Sequence, residues 1–169
     1  MKRARDIMSG DVVYLHPNDS IFDAAKLFSE LDIHGLPVVR GERLVGMITV
    51  TDIVKFIDIK IDNLPELKSG SLTDVVITIF KTLKSSETLE REMHKISTTK
   101  IEDIMTKDLI TVSQNTPFIE IAKLMEEHKI HRMPVVSRNR LVGIITGVDL
   151  MKVMIEPHAR RKVKIPKTG

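Results

Sequence analysis

No cysteine and no tryptophan occur among the 169 residues, and aromatic side chains make up only 4%. Without cysteine there is no disulfide framework, thiolate metal site or cysteine nucleophile. Long apolar runs are missing as well: no stretch approaches the roughly 18 consecutive apolar residues that a membrane helix requires. The start, "MKRARDIM", is followed by "SGDVV" rather than an apolar segment, so it does not read as a signal peptide. A soluble, cytoplasmic protein with no membrane contact is expected. A basic body is also lacking. Lys2, Arg3, Arg5, Arg160, Arg161, Lys162, Lys164 and Lys167 lie at the two ends, which leaves 18 Lys+Arg against 23 Asp+Glu between them, a net of −5. A nucleic-acid-binding body carries a basic face, and here only the ends, above all "ARRKVKIPK", offer one. A nucleic-acid-associated protein using its basic termini is the alternative reading.

What the chain does contain is a repeat. "GMITVTDI" and "GIITGVDL" stand 97 positions apart, and sliding the sequence by that offset aligns Asp6 to Asp52 on its second copy without a gap. Close to half the aligned positions are identical, among them "DIM", "PVV" and "RLVG". Such self-similarity identifies an internal duplication, so the fold is read as two copies of one unit.

Each copy has the same order of signals. "VVYL" and "LITV" are short β-branched runs that read as strands, and "HPND" and "SQNT" mark turns. Helical spacing follows, with Ile21, Phe22, Ala25, Leu27 and Phe28 on one face in the first copy and Phe118, Ile119, Ala122, Leu124 and Met125 in the second. Proline fits a first helical position, so Pro117 sets Thr116, and by repeat Asp19, at the N-cap. "LPVV" and "RLVGMIT", like "MPVV" and "RLVGIIT", give two more strands joined by the turns "RGE" and "SRN". A second helix begins at the threonine of each signature. The fold class is α/β (α+β), with two tandem β-α-β-β-α repeats. A unit of fewer than about 60 residues does not easily bury its own apolar faces. Packing of the copies with pseudo-twofold symmetry, and two related pockets, are therefore expected.

The expected domains are a first repeat over 1–61, a connector over 62–100, a second repeat over 101–157 and a basic tail over 158–169. Pro65 and Gly70 break the connector, Ser71-Leu72-Thr73-Asp74 reads as a helix start, and "SSETLEREMHKI" as a further helical segment. The connector is either a passive helical spacer or an arm that touches a partner.

Two constellations carry chemistry. Thr49-x-x-Asp52 and Thr146-x-x-Asp149 sit where a strand passes into a helix. One reading is a capping box, worth about 1 kcal/mol. In the other, the helix N-terminus seats a phosphate, the carboxylate accepts hydrogen bonds from a ribose diol, and Gly46 or Gly143 lets a flat ring approach the backbone. The pattern alone does not choose. The second constellation is "KIHRMPVV", where Arg132 is able to chelate phosphate oxygens and His131 to donate to them. The first copy has His34-Gly35 in its place, so the two pockets differ in their grip on phosphate. No nucleophile-base pair is visible, so no enzyme activity and no catalytic cofactor are expected. His128 and His131, with Glu127 adjacent, have no further His or Cys near in sequence, and no metal site is expected.

The ordered set D-I-M-[ST], helix, I-H-x-[LM]-P-V-V, L-V-G-x-I-T-x-x-D, occurring twice, resembles a pair of cystathionine β-synthase (CBS) domains, or Bateman module, over about Asp6–Ile61 and Ile101–Ile155. The resemblance implies a regulatory, energy-sensing module that binds an adenosine-containing ligand (AMP, ADP, ATP or S-adenosylmethionine) in clefts between the copies. It also implies a homodimer that signals to an unidentified partner protein. Carried over by residue, it implies that Asp52 and Asp149 hold the ribose, with Thr49 and Thr146 at the sugar-phosphate edge. Asp52 is then expected to face Leu109, Ile110, Ile130, His131, Arg132 and Pro134, and Asp149 to face Val12, Val13, Ile33, His34, Gly35 and Pro37.

Overall fold

The computed structural model of the chain describes residues 1–56 and 94–155. Its elements are α1 (Ala4–Ile7), α2 (Ile21–Leu31), β1 (Gly35–Arg40), β2 (Arg43–Thr49) and α3 (Val50–Phe56), then α4 (Ile101–Ile104), β3 (Val112–Ser113), α5 (Phe118–Glu127), β4 (Arg132–Ser137), β5 (Arg140–Thr146) and α6 (Gly147–Ile155). Residues 94–98 are also helical, at the end of the expected connector helix. The rest of the connector from 62 to 93, including the Ser71 helix start, and the basic tail 158–169 lie outside the described residues. No helix among the described residues is long and apolar enough to cross a membrane. The fold is mixed α/β; the second repeat keeps the strand-helix-strand-strand-helix order, and the first has it without a leading strand among the described residues.

The chain divides into two compact units, and the division crosses the repeats. One unit is Val13–Leu109; the other combines Met1–Val12 with the chain from Ile110 onward. The leading segment of each repeat therefore folds with the body of the other repeat. In the Val13–Leu109 unit, the amides of Ile101 and Glu102 donate to the carbonyls of Asp19 and Pro17 at 2.9 and 3.0 Å. Ala4 and Arg5 make the corresponding bonds to Thr116 and Gln114, at 2.9 and 3.1 Å, in the other unit. Ile101 and Ala4 are both fully buried, each in the core of the unit it straps.

In the Val13–Leu109 unit β1 and β2 form an antiparallel hairpin with Gly35 opposite Thr49 and an irregularity at Val38/Val39. The expected strand over "VVYL" shrinks to one parallel bridge, Leu15 to Val38, and Val13 and Tyr14 are exposed. Pro17 has no N–H to extend the ladder, and the Asp19 carboxylate takes the His16 amide at 2.7 Å into a turn instead. Leu15, Ile21, Phe28, Leu36, Val38 and Ile48 make the core, joined by Ile53, Ile96 and Ile101.

The other unit has β3 parallel to β4 and β4 antiparallel to β5, with Arg132 opposite Thr146 and an irregularity at Val135/Val136. Its hairpin turn holds Arg138 and Asn139 at φ 51° and 64°, the doubly left-handed pattern of a type I′ turn. Val112, Ile121, Met125, Met133, Val135 and Ile145 form its core with Ala4.

Two sequence expectations are corrected. On α2 the buried stripe is Ile21, Ala24 and Phe28, while Phe22 and Ala25 are exposed; on α5 it is Ile121 and Met125, while Ile119 is exposed. Core positions follow i, i+3, i+4 and i+7 more strictly than residue type does. The caps also shift by one residue. Ser20, not Asp19, caps α2, its Oγ accepting the Asp23 amide at 3.2 Å, and Pro117 itself is the N-cap of α5. The Asp19 and Thr116 side chains are engaged by the preceding turns, through the amides of His16 and Ser113.

Candidate functional site

Both threonines of the signature end a strand and both aspartates sit in the first turn of the following helix. The capping reading is realised. The Thr49 amide and hydroxyl donate to Asp52 Oδ2 at 2.8 and 2.6 Å, and the Asp52 amide returns to Thr49 Oγ1 at 3.2 Å. The Thr146 amide and hydroxyl donate to Asp149 Oδ2 at 2.8 and 2.7 Å. Asp6, Asp23 and Asp103 bond the amides three residues before them in the same way, at 2.8, 2.9 and 3.1 Å. Capping by itself therefore does not set Asp52 and Asp149 apart.

Burial and the second oxygen do. Asp149 is the one charged side chain among the described residues that is buried, at 9% exposure. Its Oδ1 is left over from the cap and lies 3.4 Å from Lys152 Nζ. Beside it opens a hollow of about 220 Å³, lined by Lys2, Asp6, Ile7, Ser9, Asp149, Lys152 and Val153. Asp52 is half-buried, and its Oδ1 is 3.5 Å from the Thr106 hydroxyl.

Sequence reasoning missed those hydroxyls. The last residue of D-I-M-[ST], Ser9 or Thr106, pairs with the strand of the signature: Ser9 with Ile144 at 2.9 and 3.0 Å, Thr106 with Met47 at 3.0 and 2.9 Å. The signal was a hydroxyl residue at the same place in both copies.

The signature glycines have another role than the close ring approach expected of them. A Cβ on Gly143 would lie 2.9 Å from Met8 Cγ, and one on Gly46 2.9 Å from Met105 Cγ. Each bare glycine is filled by the methionine of D-I-M-[ST], which seats the strap and delivers the hydroxyl next to it.

Arg132 lies directly across the ladder from Thr146, where side chains share a face. Burial pushes its guanidinium pKa down, and no hydrogen bond or ion pair to its side chain is seen among the described residues. His131 and His34 are exposed, and their carbonyls accept the amides of Gly147 and Val50 at 3.3 and 3.2 Å. Of the expected adenine contacts, Val12, Ile110 and Ile130 are half-buried in the Asp149 unit, and Ile33 and Leu109 are half-buried in the Asp52 unit. Val13 is exposed, while Gly35, Pro37 and Pro134 are buried within their strands.

Known proteins with the same features place the chain. The CBS domain family matches residues 4–59 and 101–156. Protein MJ1426 of Methanocaldococcus jannaschii is 33% identical over 153 residues, covering 89% of this chain and 90% of that protein. An inosine-5′-monophosphate dehydrogenase of Korarchaeum cryptofilum is 31% identical over 95% of this chain, which spans only 26% of that enzyme. The solved CBS domain pair of protein MJ0100, in complex with 5′-methylthioadenosine and S-adenosyl-L-methionine, is 26% identical. It superposes with a TM-score of 0.64 over 93% of this chain and 98% of its own. Two family matches in one chain, falling on the two repeats, lead to one conclusion: this protein belongs to the CBS domain family and carries two CBS domains in tandem.

Proposed function

We propose that the protein is a regulatory module that binds an adenosine-containing ligand, one of AMP, ADP, ATP or S-adenosylmethionine, and signals its occupancy to a partner protein. The observation that carries this reading is the buried Asp149 with a leftover carboxylate oxygen on the rim of a hollow. A buried carboxylate that keeps acceptor capacity after capping its helix is suited to a ribose diol. Asp52 has the same leftover oxygen in the other unit. In this reading Thr146 and Thr49 border the sugar, and Ser9 and Thr106 join them.

Arg132 is the phosphate ligand: a desolvated guanidinium with no carboxylate partner among the described residues calls for an anion. His131 and His34 supply further donors. Val12, Ile110, Ile130 and Pro134 in one unit, and Val13, Ile33, Gly35, Pro37 and Leu109 in the other, form the apolar surroundings assigned to adenine. MJ0100, which binds two adenosine compounds, supports the ligand class. Self-association is supported by α6, whose Val148, Met151, Met154 and Ile155 are each more than 60% exposed.

Thermal melting with each of the four adenosine compounds tests the proposal, with guanosine nucleotides as controls. A ligand at a hundred times its dissociation constant adds about 2.7 kcal/mol. Asp149→Ala and Asp52→Ala are each expected to cut affinity roughly tenfold or more, since a charge-assisted hydrogen bond is worth about 1.5–3 kcal/mol. Stabilisation by no adenosine compound, or affinities untouched in the double variant, would reject the assignment.

A further inference from the structure

The two signature aspartates are supported unequally. On α6, Lys152 Nζ reaches Asp149 Oδ1 at 3.4 Å from within the same helix. On α3 the support comes from outside the helix, from the chain that enters the unit at the end of the connector. Residues 94–98 are helical there, and Ile96, 7% exposed, belongs to the same core as Ile53 of α3. We propose that Lys95 is a positioning residue for Asp52: it pins the C-terminus of α3 and so holds in place the carboxylate at the other end. Its consequence for a ligand rests on the adenosine reading above.

Helix α3 has seven residues, Val50–Phe56, and is about 10 Å long at a rise of 1.5 Å per residue. A helix of two turns has little stability of its own and depends on what holds its ends. The Thr49–Asp52 cap closes the N-terminus. At the C-terminus the last carbonyls lack intrahelical partners, and Lys95 Nζ donates to that of Phe56 at 3.0 Å. The same ammonium lies 4.6 Å from the centre of the Phe56 ring, a cation–π contact that also suits the negative end of the helix dipole. Lys95 is itself held, since its carbonyl accepts the Thr99 amide and hydroxyl at 3.2 and 2.8 Å. From there the chain runs through the buried Ile101 to Thr106, whose hydroxyl is 3.5 Å from Asp52 Oδ1. One stretch, Lys95 to Thr106, thus meets α3 at both ends.

The arrangement belongs to one unit. By the repeat offset Phe56 becomes Val153, which offers no aromatic face to a cation. Asp149 has its burial and Lys152 instead. Lys95 is therefore expected to act on the Asp52 site and to leave the Asp149 site alone. A displacement at 94–98 loosens Asp52, and by linkage a ligand held by Asp52 tightens 94–98.

Amide hydrogen exchange of the full chain, resolved by NMR, tests this without ligand. Lys95→Met keeps the apolar stem and removes the charge, while Lys95→Arg keeps a cation that donates and stacks on a ring. Lys26→Met, at a side chain 70% exposed on α2, reports the general effect of a lost charge. Lys95→Met is expected to speed exchange of the Thr49 and Asp52 amides roughly tenfold, as loss of a hydrogen bond from a charged group implies. The Thr146 amide, which makes the same cap bond in the other unit, should not change, and Lys95→Arg and Lys26→Met should resemble the parent. Faster exchange confined to residues 94–99, with the Thr49 amide unchanged, would reduce Lys95 to local packing and overturn the proposal. Calorimetry with AMP, ADP, ATP and S-adenosylmethionine, at a temperature where every variant is folded, gives the second arm. For a compound that binds, Lys95→Met is expected to weaken it roughly fivefold or more in an Asp149→Ala background, and less than about twofold in an Asp52→Ala background. Equal losses in the two backgrounds, or a loss that Lys95→Arg does not rescue, would also overturn it. If none of the compounds binds the parent chain, the adenosine reading fails, and exchange at Thr49 alone decides whether Lys95 positions Asp52.

Discussion

Replacing Gly143 by alanine isolates the seat of the N-terminal strap. The added Cβ would stand 2.5 Å from Met8 Sδ, 2.9 Å from Cγ and 3.2 Å from Cβ, so the overlap reaches the root of the methionine and not just its free end. Met8 must leave, and Ser9, paired through both its N–H and its C=O to Ile144, moves with it. Overpacking of this kind costs typically about 1–3 kcal/mol. At this chain length each kcal/mol lowers the melting temperature by about 2–4 °C, so a fall of roughly 2–12 °C is expected. Met8→Ala alone opens a void over the glycine and destabilises too. In the double variant the alanine at 143 partly fills that void, so the two costs combine to less than their sum. Urea denaturation of the four proteins measures this coupling, expected at 0.5 kcal/mol or more. Strict additivity would refute the contact, and with it the reason given for glycine in the signature.

Two further outcomes follow from the cores and caps. Ile101→Ala should cost about 2–5 kcal/mol despite lying in a helix of only four residues, because Ile101 is fully buried in the unit of the first repeat; a urea-derived loss under about 1 kcal/mol would contradict its place there. The Ser20 hydroxyl, then the Ser20 amide, holds the Asp23 carboxyl below the usual carboxylate range. A depressed folded pKa means that its contribution is present above the unfolded value and is lost as pH falls through the folded one. Acid titration of Asp23→Asn should therefore show a shallower loss of stability over that interval than the parent chain, and identical curves would remove the cap's role.

How much of this was legible depends on the range of the interactions. The hairpins and their turns were readable because strand, turn and strand are adjacent, and the T-x-x-D caps because they close within four residues. Nothing local tells Ala4 or Ile101 which hairpin to pad, since a one-turn helix has no periodicity to read. That is why the crossing of straps between repeats, and the methionine above each glycine, emerge only in three dimensions. Helical faces were read partly wrongly because Phe22 and Ile119 look like core residues while small Ala24 occupies the buried stripe. Within the site, Thr49, Asp52, Thr146 and Asp149 were found as a pattern, but the pattern also describes an ordinary cap. Only the burial of Asp149 separates it from Asp6, Asp23 and Asp103. Lys2 and Lys152 stand near opposite ends of the chain, and no spacing rule links them.

The central claim is that Oδ1 of each signature aspartate, the oxygen its cap does not use, accepts hydrogen bonds from a sugar diol. Titrating the chain with AMP and with 2′-deoxy-AMP addresses it directly. Loss of the 2′-hydroxyl is expected to weaken binding about tenfold in the parent protein, in line with one hydrogen bond to a charged group, and to make no difference in the Asp52→Ala, Asp149→Ala double variant. Equal affinity of the parent protein for both nucleotides would contradict the claim.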